Sequence, residues 1–306
     1  MNSINYSIII PHKNIPNLLQ RCLDSIPRRK DIQIIVVDDN SDSNIVDFNH
    51  FPGMNENNIE IIYTKEGKGA GYARNVGLKH AKGKWLLFAD ADDFYCSNTW
   101  NILDNYQNSN NDIIYFGVDC VNSNTLQPTD RGLKNNENIK NYINKTPNSE
   151  KFIRYRCWEP WNKMYSHNFI KQNHLTYEEI IRGNDAMFVL KAGYLAKQIT
   201  ALDNKLYTVT FRTNSISYTP TKENMMSAFL LKIRMNNFFR SIKEPSFQIS
   251  VWYDIKHVYQ LFGIKEALKF IKIGNSHNAH FIYFIFNDKE GLIRLTKKIF
   301  RRIFNN

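Results

Sequence analysis

Cysteine is scarce in this sequence. Its 306 residues hold four, Cys22, Cys96, Cys120 and Cys157, and no two of them form a Cys-x-x-Cys pair. Their wide, irregular spacing argues against a zinc ribbon or a disulfide framework and suits a reducing compartment. Long apolar runs are also missing. The longest, Phe281-Ile282-Tyr283-Phe284-Ile285-Phe286, falls far short of the ~20 residues that a membrane-spanning helix needs. The opening Met1-Asn2-Ser3-Ile4-Asn5-Tyr6 has no basic segment leading into an apolar one, so no signal peptide is expected. Acids are few beside bases: 29 Asp and Glu against 40 Lys and Arg leave a net charge of +11. That balance favours anionic partners such as nucleotides, nucleic acid or an anionic membrane surface. Hydrophobic residues at 42% and charged residues at 23% exclude a wholly disordered chain. The length suits one large domain or two, at roughly 100–200 residues each.

The first 120 residues alternate between two periodicities. Ser7 to Ile10 is an apolar run, and Asn14 with Pro16 then opens a helix carrying Leu18, Leu19, Cys22, Leu23 and Ile26 at helical spacing. Ile32 to Val37 and Ile59 to Tyr63 read as strands buried on both faces. Gly67-Lys68-Gly69-Ala70-Gly71 precedes a helical pattern through Ala73, Val76, Leu78 and Ala81. Trp85 to Ala89 reads as a strand, Trp100 to Tyr106 as a helix and Ile113 to Val118 as a further strand. Strand, helix, strand in repetition implies a doubly wound α/β sheet with helices on both faces, whose ligands bind beyond the carboxyl ends of the strands. Residues 121–150, rich in Asn, read as a loop or β-excursion. From about Lys222 the chain reads as helical, with breaks near Pro245 and Gly274.

Two acidic clusters stand at the carboxyl ends of expected strands. Asp90-Ala91-Asp92-Asp93 is the sharper. Carboxylates crowded together repel unless a cation or hydrogen-bond donors compensate, and Mg²⁺ or Mn²⁺ takes oxygen ligands of this kind. The alternative is a solvated acidic turn that caps the next helix. Asp38-Asp39-Asn40-Ser41 could accept hydrogen bonds from a base or ribose, or could simply make a turn. The glycine-rich segment fits neither a P-loop nor a dinucleotide fingerprint.

In order and spacing, four segments resemble the family 2 glycosyltransferases of the GT-A fold. They are Ser7-Ile8-Ile9-Ile10-Pro11-His12-Lys13-Asn14, Ile34-Ile35-Val36-Val37-Asp38-Asp39-Asn40-Ser41-Asp42, Gly71-Tyr72-Ala73-Arg74-Asn75-Val76-Gly77-Leu78 and Gly83-Lys84-Trp85-Leu86-Leu87-Phe88-Ala89-Asp90-Ala91-Asp92-Asp93. The resemblance implies a GT-A-type, Rossmann-like, mostly parallel sheet flanked by helices and followed by a C-terminal helical region. It implies that Pro11 and His12 border a uracil pocket with Asn14 in the same nucleotide-binding set, that Asp39 binds the base and Asp38 the nucleoside, and that Arg74 and Asn75 sit beside the nucleotide. Asp90-Ala91-Asp92 matches the DxD motif, with Asp92 and Asp90 as ligands of Mn²⁺ or Mg²⁺ and Asp93 near the sugar.

The family places an acid further on, commonly in a Glu-Asp pair. Here the match is Asn184-Asp185, which keeps Asp185 as the implied general base. An acceptor hydroxyl is a poor nucleophile, so a carboxylate must take its proton. The alternative for Asp185 is a helix N-cap. Trp161, within Trp158-Glu159-Pro160-Trp161-Asn162-Lys163-Met164-Tyr165, could stack an acceptor sugar or sit in the core, and Asn184 is a second acceptor-side candidate. Glu178 and Glu179 are expected at the surface.

The expected organisation is a catalytic region over 1–215 and a helical region over 216–306. Residues 255–306 hold ten Lys or Arg and three Asp or Glu, hence seven of the eleven net positive charges. Leu292 to Phe304 is sharply amphipathic, with Arg294, Lys297, Lys298, Arg301 and Arg302 behind an apolar face. Such a helix lies in an anionic membrane interface or packs on its own domain. The processive Gln-x-x-Arg-Trp motif is absent. The expected activity is transfer of a hexose or N-acetylhexosamine from a UDP-sugar, with inversion, to a glycan or lipid-linked acceptor, at the cytoplasmic side of the membrane. A nucleotidyltransferase and a basic nucleic-acid-binding protein are the alternatives.

Overall fold

The computed structural model describes residues 3–129, 132–211 and 221–281. The amphipathic segment 292–304 therefore lies outside the described residues. By packing, the chain divides into Met1–Ser215 and Ile216–Asn306.

The first unit is built on β1 (Tyr6–His12), β2 (Ile32–Asp39), β3 (Ile59–Thr64), β4 (Trp85–Phe88), β5 (Phe94–Tyr95), β6 (Ile113–Asn122), β7 (Lys163–Ser166) and β8 (Ile199–Phe211). They form one sheet in the order β3-β2-β1-β4-β7-β6-β8-β5. β3, β2, β1 and β4 run parallel. β7 is antiparallel to both neighbours and β5 to β8, while β6 and β8 are parallel. Four of the seven pairings are thus parallel and three antiparallel. The sheet is mixed, because β7 inserts between β4 and β6 with reversed direction.

The apolar runs split by strand alternation. Ile8, Ile10, Ile34, Val36 and Leu87 enter one core with Leu19, Cys22 and Leu23 of α1 (Pro16–Asp24). Ile9, Ile35, Val37, Leu86 and Phe88 enter the other with Ala73 of α2 (Ala70–His80) and Phe188, Val189 and Ala192 of α7 (Ala186–Leu195). Covering both faces is what makes these strands read as continuous apolar runs. Each fully buried Ile, Val or Leu contributes roughly 1.5–3 kcal/mol. The expected helix from Trp100 is shorter, α3 (Thr99–Leu103), and ends in a 3-10 turn at Asp104–Tyr106. All four cysteines are free thiols, with Cys22, Cys120 and Cys157 buried.

Residues 121–150 depart from the expected loop. A short excursion pairs Val121 with Pro128, but α4 (Leu133–Ile143) and the start of α5 (Ser149–Arg156) follow. The asparagines that disguise α4 do the packing. Asn136 gives its carbonyl to the Val118 N–H and its amide to the Val118 carbonyl, at the irregularity where β6 shifts register against β8. Asn135 donates to Glu159 Oε2. A buried amide with satisfied partners can replace an apolar residue on a helix face. Between α5 and α7 lies α6 (His167–Gln172).

The second unit holds α8 (Lys222–Ser241) and α9 (Trp252–Ser276) around a core that includes Phe229, Ile233, Val258 and Phe270. A 3-10 turn at Pro245–Phe247 separates them. The break expected near Gly274 falls just beyond it, where α9 ends at Ser276, and the backbone also leaves helical geometry at Gly263. Gly274 is buried inside α9. No helix among the described residues is long and apolar enough to cross a membrane.

Candidate active site

β1 and β2 end side by side, with Pro11 opposite Val37 and His12 opposite Asp38. Asp38 is spent within the fold. Its Oδ1 accepts the Ser41 N–H at 2.9 Å, and its Oδ2 accepts the Ser41 hydroxyl at 2.6 Å and His12 Nδ1 at 2.8 Å. Burial pushes the Asp38 carboxyl up, and the bonds from His12 and Ser41 outweigh it, holding the group below the usual carboxylate range. His12 Nε2 accepts the Ile15 N–H at 3.2 Å, which leaves Nδ1 as the donor to Asp38. Asn14 donates its N–H to Ser41 Oγ and accepts the Asp42 N–H. His12, Asn14 and Asp38 thus form a hydrogen-bonded network, buried at His12 and Asp38 and partly exposed at Asn14, that shapes the ends of both strands, where the nucleotide-binding set is expected. Pro11 is buried in β1.

Asp39 differs. Its Oδ2 accepts the Gly69 N–H at 2.8 Å and lies 3.8 Å from Lys13 Nζ. Its Oδ1 is buried without a hydrogen-bond partner among the described residues. A buried carboxylate oxygen left unpaired is costly, so this atom calls for a donor from a ligand.

β4 ends in the acidic cluster. Asp90, Asp92 and Asp93 present carboxylate oxygens that lie within 4.8 Å of one another. The backbone of β8 braces the turn: the Thr210 N–H donates to Asp93 Oδ1 at 2.7 Å, and the Thr210 hydroxyl donates to the Asp92 carbonyl at 2.8 Å. Arg21 of α1 donates to the same carbonyl at 2.6 Å. The Asp90 N–H donates to Tyr207 Oη at 2.9 Å. Ala91 is core. Three carboxylate groups with oxygens this close together fit a hard divalent cation, whose preferred ligands are oxygens. The residues present therefore suit Mg²⁺ or Mn²⁺.

Arg74 of α2 joins this cluster to the implied base. It is 5% exposed. Nη2 donates to Asp90 Oδ1 at 2.5 Å and Nη1 to Asn184 Oδ1 at 2.8 Å. Its guanidinium lies over the Tyr177 ring, 5.3 Å from the centroid. α2 also seats the segment before Asp185. Asn75 accepts the Tyr177 N–H at 2.8 Å and donates to the Tyr177 carbonyl at 3.0 Å. At Gly71 an added Cβ would stand 2.1 Å from the Glu178 carbonyl oxygen, so only glycine admits this approach. Asn75 therefore clamps the backbone of Tyr177, a contact that its expected place beside the nucleotide does not include.

Asp185 stands at the N-terminus of α7, partly buried, and its side chain makes no capping hydrogen bond. The capping alternative is thus not the one adopted. Burial pushes its carboxyl up to about 6; Arg74 opposes the rise, and Asp90 and Glu159 add to it. Asn184 is buried against Arg74. Trp161 is 6% exposed and stacks on Tyr207 with ring centroids 5.8 Å apart. It packs in the core, the second of the two readings left open for it. Glu179 is exposed and Glu178 partly so.

The sequence does not mark Tyr177, Tyr207, Thr210 or Arg21 as site residues. Each acts through a long-range contact, and no local pattern marks it. Lys163 is a further case, buried beside Glu159 and Asn162, with Nζ 2.5 Å from the Glu159 carbonyl and 2.6 Å from Asn162 Oδ1. Burial pulls its ammonium down to about 8. Two surface cavities of about 650 and 710 Å³ lie elsewhere, lined by none of the site residues.

Carboxylates gathered beyond the carboxyl ends of a sheet covered on both faces are the plan of a ligand-binding α/β enzyme. The sequence comparisons define which. The model for glycosyl transferase family 2 matches residues 7–172, more than half of the chain, and the chain belongs to that family: it is a glycosyltransferase. It is 28% identical over 247 residues to the uncharacterized glycosyltransferase EpsJ of Bacillus subtilis, covering 76% of this chain and 70% of that one. It is 29% identical to a poly(ribitol-phosphate) beta-glucosyltransferase of Bacillus spizizenii over 72% of this chain and 35% of the relative, so it spans about a third of that protein. Among solved structures, residues 1–349 of S. aureus TarS with UDP-GlcNAc match at TM-score 0.56 and 21% identity, over 76% of this chain and 66% of that one. The mannosyltransferase PcManGT of Pyrobaculum calidifontis, with GDP-Man and Mn²⁺, matches at 0.53 and 11% over 100% and 89%. At these identities the structures establish the GT-A-type fold. Neither the nucleotidyltransferase nor the nucleic-acid-binding alternative is favoured.

Proposed function

We propose that this glycosyltransferase moves a hexose or N-acetylhexosamine from a nucleoside-diphosphate sugar, with UDP as the carrier, to a hydroxyl of a surface glycan or lipid-linked acceptor, with inversion. The observation that carries this reading is the continuous link Asp185–Asn184–Arg74–Asp90, which ties a carboxyl held near neutrality to the acidic cluster at the end of β4. Asp185 takes the acceptor proton as the hydroxyl oxygen bonds to the anomeric carbon. The bond from that carbon to the diphosphate oxygen breaks, and the nucleoside diphosphate leaves with its electron pair. One displacement inverts the anomeric centre. Asp39 Oδ1 accepts an N–H of the base. Asp90, Asp92 and Asp93 would hold Mn²⁺ or Mg²⁺, which supplies positive charge to the diphosphate when bound.

Support for the donor comes from the TarS chain solved with UDP-GlcNAc, and support for a polymer acceptor from the poly(ribitol-phosphate) relative. Four free thiols support a reaction on the cytoplasmic side. The test is thermal stabilisation by nucleotides and nucleotide sugars, with and without Mn²⁺. A ligand at ~100 times its Kd stabilises by about 2.7 kcal/mol. The expected result is a metal-dependent shift with UDP that grows with one UDP-sugar. A shift with another nucleotide only, or none at millimolar concentration, would overturn the UDP assignment.

A further inference from the structure

We propose that the outward face of α9 docks on an anionic phospholipid surface. Among the described residues, five of the fifteen exposed large apolar side chains lie on this one helix: Tyr253, Tyr259, Leu261, Ile264 and Leu268. Ile264 and Leu268 are 61% and 56% exposed, while Ala267, Phe270 and Gly274 turn into the core of the second unit. The helix is thus apolar on both sides, which water alone does not explain.

The charges around the outward face indicate its occupant. Lys265, Lys269 and Lys272 are exposed and share the helix side of Ile264 and Leu268, at positions one, four or five, and eight apart. The only acids of α9 are engaged. Asp254 accepts from Lys232 at 2.8 Å through both oxygens. Glu266 lies 3.3 Å from Lys269 and 3.7 Å from Lys222. Lys269 is matched by Glu266, but Lys265 and Lys272 have no acidic partner among the described residues, so the surface pairs apolar side chains with net positive charge, the combination that binds an anionic bilayer interface. A second copy of the chain would set lysine against lysine, which disfavours self-association.

Gly263 shapes the face. Its φ of 82° and ψ of 179° interrupt the helix between Leu261 and Ile264, and nothing lies within 4 Å of where a Cβ would stand. The break needs glycine for its backbone and leaves the residues on either side projecting.

This inference does not rest on the transferase reading. The experiment is co-sedimentation of the full chain with phosphatidylglycerol vesicles and with phosphatidylcholine vesicles, at low and high salt. Binding is expected to phosphatidylglycerol alone and to weaken with salt. It should fall about tenfold or more in Ile264→Asp/Leu268→Asp and in Lys265→Glu/Lys272→Glu. All four side chains are exposed, and unchanged thermal melting checks folding. The basic segment 292–304 stays in every variant, so a loss is assigned to α9. Undiminished binding by both double variants would overturn the proposal. So would equal binding to both vesicle types, or none to phosphatidylglycerol. A dimer in free solution that Ile264→Asp/Leu268→Asp dissociates, without vesicle binding, would make the face an interface between copies instead.

Discussion

Asp185 sits where a helix ordinarily spends an acid on its own amides, yet it caps nothing. Its carboxyl is raised from 3.8 to about 6, first by burial. A general base must be deprotonated, so turnover should fall as pH drops through about 6. Asp185→Asn should lose at least ~10²-fold in kcat with donor binding little changed. The same shift bears on stability. A raised carboxyl binds its proton more tightly in the folded chain, so wild-type stability declines as pH climbs from about 4 to about 6 and stays reduced above. Asp185→Asn should therefore be the more stable protein at pH 8, by on the order of 1–3 kcal/mol, with the gain gone below about pH 4. Urea melts at the two pH values check this. Asn184 is the neighbouring lever. It is a neutral acceptor for Arg74, so the guanidinium has Asp90 as its ion-pair partner and keeps its field on Asp185. Asn184→Asp would add a negative charge and draw on that field. Both effects raise Asp185, and the acid limb of the pH–rate profile should move up by about one unit. An unmoved limb would separate Arg74 from the base.

At the scale of elements, α2 is the seat of the catalytic segment. Gly71, Arg74 and Asn75 recur at helical spacing and present one face to residues 177–185. Asn75→Ala removes both bonds to the Tyr177 backbone while leaving the core untouched. A misplacement of about 1 Å at a reacting group costs on the order of 10²-fold, so kcat should fall about tenfold or more with the donor KM little changed. Steady-state kinetics decide it, and an equal loss in both constants would assign Asn75 to the donor. The motif around Gly71-Tyr72-Ala73-Arg74-Asn75 was legible in the sequence, but its contacts with 177–185 were not. A motif records residue types, whereas Asn184, which Arg74 meets, and Tyr177, which Asn75 meets, lie about a hundred residues away in the chain. The same limit hid α4. Apolar periodicity reveals a helix that packs through carbon, and this one packs through Asn135, Asn136 and Asn138. Strands β1, β2 and β4 were legible because burial on both faces leaves an unbroken apolar run; β3, expected to be buried likewise, is a partly buried edge strand whose Ile59, Ile61 and Ile62 still mark it. The pairing of β6 with β8 was not, because two strands about ninety residues apart leave no local trace of each other.

Across the whole molecule, the hydrophobic cores follow the division of the chain. Among the described residues, two cores lie on the two sides of the sheet and draw on residues before 215, and the third draws on residues after 216. Each unit thus buries its own apolar surface, which is the physical requirement for folding alone. The residues assigned to the donor, Asp39, Asp90, Asp92 and Asp93, all belong to the first unit. If the donor site is complete there, a fragment ending at 215 should melt cooperatively. It should also show the same metal-dependent shift with nucleotide as the full chain, since stabilisation depends only on concentration and affinity for the native state. The second unit would then serve the acceptor side, and its removal should abolish vesicle binding while donor binding persists. A fragment that folds and yet loses the nucleotide shift would show instead that residues beyond 215 complete the donor site. The division by packing would then not be a division by function.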